Sequence, residues 1–260
     1  MGHIFLRKLG KKRLRPGGKK ATDFLLNHMK LDENTKVLEV ACNNGVNLEM
    51  LSKMHPNTQF FGVDLDAKMI EEAKERNLEN VEFVKANAVK LPYEDGSMDY
   101  VINEAMLTML PNETKKKAIQ EYFRVLKKGG LLLTHDVCIV NNEEQAIKIL
   151  SNGININVSP LTKSGWFTMF SDNGFNVSDS LSGKLTLMNP IGMIKDEGLL
   201  GTLRIIKNGL KKENREQFIA MRKTFMKKWF IKSDNGYTKD NFKNNGAISC
   251  GSYDDKYDSF

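Results

Sequence analysis

Between Lys36 and Val140, short runs of β-forming apolar residues alternate with helical stretches, and this alternation restricts the fold more than any other feature of the chain. Parallel strands need a crossover, and a helix is the crossover that also covers the sheet. The pattern predicts strands at 36–41, 59–63, 81–85, 98–103 and 131–137. Several are apolar almost throughout, as strands buried on both faces are. Helices are expected at 46–54, 66–76 and 113–126, the last stopped by Lys127, Lys128, Gly129 and Gly130. The expected fold class is α/β with a mostly parallel, doubly wound sheet.

After residue 140 the regularity is lost. Helices are expected at 143–150 and 161–173, a further strand at 175–180, and helix again over 198–230, where Phe218, Met221, Phe225 and Trp229 recur at core-packing spacing. The stretch 232–245 reads as a loop before a last strand at 247–250.

Charge is uneven. Residues 1–20 hold eight bases (Arg7, Lys8, Lys11, Lys12, Arg13, Arg15, Lys19, Lys20) and no acid. With 39 bases and 32 acids in all, the rest carries 39 minus 8, or 31, bases against 32 acids, a net charge of −1. The formal charge of +7 thus belongs to an arm, whereas a nucleic-acid-coating protein spreads positive charge over a folded face. No apolar run has the length of a membrane-spanning helix, and Ile4–Leu6 is too short for a secretory signal. Cys42, Cys138 and Cys250 lack metal-site or disulfide spacing, which fits a reducing, cytoplasmic location.

The most informative segment is 37–45, Val-Leu-Glu-Val-Ala-Cys-Asn-Asn-Gly, a strand entering a tight turn and then a helix. A helix N-terminus there offers free N–H groups to an anion, Gly45 permits close backbone approach, and Glu39 sits where it can receive an ammonium group. Asp64 ends the second strand nineteen residues after Gly45, the placement of an acid that accepts two ribose hydroxyls. The GxGxxG dinucleotide pattern is absent. After the third strand, Asn87 offers an amide able to pair with an adenine edge.

Taken in order, Leu38–Gly45, Gly62-Val63-Asp64-Leu65-Asp66, Ala86-Asn87-Ala88 and Arg124–Gly130 resemble the motifs of class I S-adenosylmethionine-dependent methyltransferases, particularly the small-molecule type 11 group. The resemblance covers 36–140. It implies a Rossmann-like sheet and S-adenosyl-L-methionine as cofactor, bound by Glu39, Ala41, Asn43, Gly45, Asp64, Leu65, Asn87, Ala88 and Asn103. It also implies one methyltransferase domain at 21–260 behind a basic arm at 1–20, with its cofactor-binding core at 36–140 and a substrate-side helical insertion at about 183–235. The chain departs from the family pattern at Ala41 and Asn43, where glycine is common, and at Asn87, where aspartate is common.

Methyl transfer from a sulfonium needs alignment first, and a general base only when the acceptor loses a proton. Glu104, after the fourth strand, is the candidate base, ahead of His135 and Asp136 at the close of the fifth. The arm admits three readings: an anion clamp through Arg13 and Arg15, docking on a membrane surface through Ile4, Phe5, Leu6 and Leu9, or a basic helix that packs its apolar side. The expected partner is a small, anionic acceptor. The alternatives are an RNA or protein acceptor held by the arm, or a binding domain without turnover.

Overall fold

The computed structural model describes residues 2–12, 17–139, 143–154, 156–182, 187–226 and 247–250. The first half follows the expected alternation closely. Helices α1 (Gly2–Lys8) and α2 (Gly18–Leu26) precede β1 (Lys36–Val40), α3 (Val46–Met54), β2 (Gln59–Asp64), α4 (Ala67–Lys74), β3 (Val81–Lys85), β4 (Met98–Glu104), α5 (Asn112–Val125) and β5 (Leu126–Ile139). These five strands are parallel in the order β3-β2-β1-β4-β5. The chain therefore reverses its direction of travel between β1 and β4, and the carboxyl ends of those two strands open the crevice where open α/β sheets bind ligands.

Side chains alternate across the sheet, so β1 sends Leu38 and Val40 into a core with Val101, Ala118, Tyr122 and Leu132 on one face. Val37 enters a second core with Leu48, Phe60, Ile70 and Leu133 on the other. Each such side chain contributes about 1.5–3 kcal/mol when withdrawn from water.

The second half departs from expectation at several points. β5 runs on to Ile139, so His135 and Asp136 lie within the strand and not at its close. Helices α6 (Glu143–Ile154) and α7 (Lys163–Ser171) enclose a short β6 (Leu161–Thr162) parallel to the end of β5. The strand expected at 175–180 forms only as β7 (Ser180–Ser182); Phe175 instead packs edge-on against Phe123, centroids 5.4 Å apart. The helix expected from Gly198 begins as α8 at Pro190 and runs to Gly209, because Asn189 caps it by accepting from the Ile191 and Gly192 N–H groups. It breaks at Gly198, whose φ of 72° and ψ of 172° suit only a residue without Cβ. α9 (Arg215–Met226) follows, and β8 (Ala247–Cys250) pairs antiparallel with β5 and with β7, as the last strand was expected to form. Trp229 and the loop 232–245 lie outside the described residues, and so do Arg13 and Arg15.

A third core joins α1 to α8 and α9 through Phe5, Leu6, Leu9, Met193, Ile205, Phe218 and Met221. The arm is therefore packed by its apolar side, and Phe5, Leu6 and Leu9 are not exposed for docking on a membrane. A buried ion pair fixes it further. Lys11 Nζ lies 3.4 Å from Glu197 Oε1 and 3.9 Å from Asp196 Oδ2, immediately before the Gly198 break.

Candidate functional site

The turn from β1 into α3 sets the site. Ala41, Asn43 and Gly45 have φ values of 61°, 54° and 74°. The backbone thus takes left-handed conformations at the two positions where glycine is replaced, at a cost of about 1–2 kcal/mol for a residue with an ordinary Cβ. Asn43 offsets part of that cost, since its Oδ1 accepts from Asn44 N–H at 2.9 Å. At Gly45 a Cβ would stand 2.6 Å from Phe83, so that position admits glycine for space as well as for φ.

Asp64, at the end of β2, holds this turn: Oδ2 accepts from Asn43 N–H at 2.8 Å and Oδ1 from Asp66 N–H at 2.9 Å. A carboxylate has about four acceptor positions, so both oxygens retain capacity toward a ligand hydroxyl. Opposite, Asn87 Oδ1 accepts from Val89 N–H at 3.2 Å, shaping the loop after β3.

Below the turn, Glu39 is 4% exposed. Its Oε1 accepts from Asn47 Nδ2 at 2.9 Å, whereas Oε2 is buried without a hydrogen-bond partner. Burial raises its pKa to about 8; the Asn47 contact opposes this rise, and the charges of Glu104 and Asp64 add to it. Glu104 closes β4 beside it. Its Oε2 accepts from the same Asn47 Nδ2 at 3.0 Å and its Oε1 from Thr22 Oγ1 at 2.7 Å. His135 Nδ1 stands 3.3 Å from Glu104 Oε1, while Nε2 accepts from Gly17 N–H at 3.1 Å. The Gly17 donor assigns the proton to Nδ1, so the imidazole donates to Glu104 and links the start of α2 to the site.

These groups surround a cavity of about 510 Å³, a volume suited to a cofactor or drug-sized ligand. Glu39, Ala41, Asn43, Asp64, Leu65, Asn87, Ala88 and Glu104 all line it, which brings together most of the residues named from the sequence. Gly45 and Asn103 are not in its wall. Gly45 sits behind the turn against Phe83, and the fully buried Asn103 donates its Nδ2 to Val40 O at 3.1 Å.

The other end is walled by Met106, Met109, Leu110, Val137, Leu150, Val158 and Leu187, with Thr108 and Asp136 among them. Asp136 is 3% exposed. Its Oδ1 accepts from Thr108 Oγ1 and from the N–H groups of Thr108 (3.1 Å) and Val137 (2.9 Å), and burial pushes its carboxyl above the usual range. The described bases in the wall are Arg7, paired with Glu72 at 2.8 Å, and Lys12.

Asn47, Thr22 and Thr108 were not singled out from the sequence. Asn47 alone carried a signal, since it lies one residue inside α3, where a side chain turns back toward the strand end. Thr22 and Thr108 reach the site only through tertiary contacts.

A family model described as a methyltransferase domain matches residues 37–130. An uncharacterized protein of Haemophilus influenzae is 54% identical over 231 residues, 86% of this chain and 92% of that one. Demethylmenaquinone methyltransferase of Staphylococcus aureus is 36% identical over 112 residues, 42% of this chain and 46% of the relative, so the match spans less than half of that enzyme. Among solved structures, the [4+2]-cyclase SpnF aligns with a TM-score of 0.68 at 17% identity over 97% of this chain and 92% of its own. Geranyl diphosphate C-methyltransferase from Streptomyces coelicolor A3(2), solved with geranyl diphosphate and S-adenosyl-L-homocysteine, aligns with a TM-score of 0.62 at 14% identity over 90% and 76%. At those identities the likeness is one of fold.

Proposed function

We propose, because this chain belongs to the class I S-adenosylmethionine-dependent methyltransferases, that it binds S-adenosyl-L-methionine in the cavity beside β1 and methylates a small molecule with an apolar body. The observation that carries the reading is the unpartnered Oε2 of buried Glu39 in a wall that also holds Asp64 and Glu104. Five acids line the cavity, Glu39, Asp64, Asp66, Glu104 and Asp136, two of them (Glu39 and Asp136) buried, against the two bases Arg7 and Lys12; such a wall suits a cationic ligand, and this cofactor carries an ammonium and a sulfonium.

In this reading Glu39 receives the ammonium, the free N–H groups at the start of α3 receive the carboxylate, and Asp64 receives ribose hydroxyls. Leu65, 64% exposed, and Ala88 border the adenine, with Asn87 able to pair along its edge. The bound cofactor supplies an activated methyl group. The chain then aligns the acceptor and excludes water, and Met106, Met109, Leu110 and Val158 provide an apolar surface for that purpose. Glu104, held by Thr22, Asn47 and His135, is the group we assign to take a proton when the acceptor must lose one. The demethylmenaquinone and geranyl diphosphate enzymes act on molecules with long apolar portions, which supports this choice of acceptor class. An anionic group on the acceptor was expected from Arg13 and Arg15, which lie outside the described residues.

The test is incubation of metabolite extracts with isotopically methyl-labelled S-adenosylmethionine, followed by mass spectrometry. A labelled low-mass, organic-extractable product is expected. Label appearing only in RNA or protein would transfer the reading to a polymer acceptor.

A further inference from the structure

Seven of the nine large apolar side chains exposed among the described residues fall between 191 and 219. Along α8, Ile191 (67% exposed), Leu199 (60%), Leu200 (82%) and Leu203 (54%) point outward, and Leu210 continues the row. The opposite side of the helix carries Met193, Asp196, Gly201, Thr202 and Ile205, which are buried. α8 thus carries apolar side chains on both faces, and among the described residues the arm and α9 cover the inner one while the outer row is exposed. The break at Gly198 separates Ile191 and Ile194 from the leucines, so the outward row spans two helical segments.

Charge states what such a face suits. Residues 187–223 contain eight bases (Lys195, Arg204, Lys207, Lys211, Lys212, Arg215, Arg222, Lys223) and four acids (Asp196, Glu197, Glu213, Glu216). Two of those acids, Asp196 and Glu197, are turned inward onto Lys11, so the outer surface is strongly cationic. Lys207 stands on the leucine row itself, four residues after Leu203 and three before Leu210, and Lys195 follows Ile191 by four, whereas Arg204 leans back over Gly10 of the arm at the edge of the face. Exposed Leu and Ile interleaved with Lys on one helix face is the composition that enters the headgroup region of an anionic bilayer, the apolar groups inserting and the cations meeting lipid phosphates.

We propose that the outer face of α8 docks this protein on anionic lipid bilayers. The face does not border the cavity, so the inference stands whether or not the reaction proposed above is the one catalysed. The N-terminal arm plays a different part from a membrane anchor: its Leu6 and Leu9 pack under α8 and support the docking helix from behind.

Co-sedimentation of the full chain with two vesicle preparations, phosphatidylcholine alone and phosphatidylcholine mixed with phosphatidylglycerol, tests this. Binding is expected to the mixed vesicles, to weaken with added salt, and to be lost in Leu200→Asp/Leu203→Asp. Lys195→Gln and Lys207→Gln each weaken it about fivefold, the loss expected for one surface cation. All four positions are exposed, so melting temperature and S-adenosylhomocysteine affinity stay at the unsubstituted values, which separates a docking defect from misfolding. Absence of binding to the mixed vesicles, or binding unaffected by the double substitution, overturns the proposal. So does equal binding to neutral vesicles. A dimer in sedimentation velocity that the double substitution dissolves would assign the face to a second copy of the chain and overturn it as well.

Discussion

At the residue scale the turn 41–45 keeps a glycine conformation without keeping the glycines. Ala41, at φ 61°, receives no side-chain compensation of the kind Asn43 obtains from Asn44 N–H. Ala41→Gly is therefore expected to stabilise the protein by about 0.5–1 kcal/mol, because relief of left-handed strain exceeds the added unfolded-chain entropy. Thermal denaturation measures it. Glu39 presents the opposite trade. Its carboxyl titrates at about 8 in the folded protein against an ordinary value of 4.5, so the folded state binds the extra proton between those values. Glu39 therefore lowers stability as pH rises through that window, and its effect levels off above it. Glu39→Gln removes this dependence and raises the melting temperature at pH 8 by at least roughly 2–4 °C, the shift for about 1 kcal/mol in a chain of this size. At Glu104, substitution by Gln places an amide donor against the Asn47 donor. If Glu104 takes the acceptor proton, kcat falls by about a hundredfold or more while the KM for the methyl donor changes little; normal turnover would remove that assignment.

At the scale of elements, the buried contact of Lys11 with Asp196 and Glu197 fixes α1 and α2 against α8. Lys11→Met removes a buried cation that Asp196 and Glu197 share and is expected to cost about 3 kcal/mol, read by denaturant midpoint. The first half of the sheet was legible because every β run there ends in a turn with its own signal, and buried parallel strands leave a continuous apolar trace. The second half was less so. The local pattern at Phe175 is that of a strand residue, but aromatic packing against Phe123 and Phe170 decides its place, and no local pattern reports that contact. The start of α8 is written in the Asn189-Pro190 cap and N1 pair, a shorter signal than the apolar periodicity that begins after Gly198, where the helix breaks. For the site, acids at strand ends were visible from spacing alone. Asn47 and Thr22, which tie Glu39 and Glu104 together, come from elements that meet only after the sheet and arm have packed.

At the scale of the molecule, the formal charge of +7 is carried by residues 1–20, which hold eight bases and no acid. The described arm is a structural strap whose apolar side completes the α1–α8–α9 core. Deleting residues 1–12 uncovers Met193, Ile205 and Phe218. Hydrogen exchange should then quicken in α8 and α9 while β1, β2 and β4 remain protected, since their cores lie on the sheet faces. Equal loss of protection throughout would show instead that the strap and sheet unfold as one unit.

In the proposed function Glu39, buried with Oε2 unpartnered, receives the ammonium of the cofactor. Calorimetric titration with S-adenosyl-L-homocysteine, in wild type and Glu39→Gln from pH 6 to 8, tests it most directly. Wild type is expected to bind with affinity rising by up to about tenfold per pH unit below about 8, as the carboxyl ionises. At pH 8, Glu39→Gln is expected to bind at least about tenfold more weakly, with a flat pH profile that wild type approaches as its carboxyl is protonated toward pH 6. Absence of wild-type binding at millimolar ligand, or equal binding by the two proteins at pH 8, rules this out.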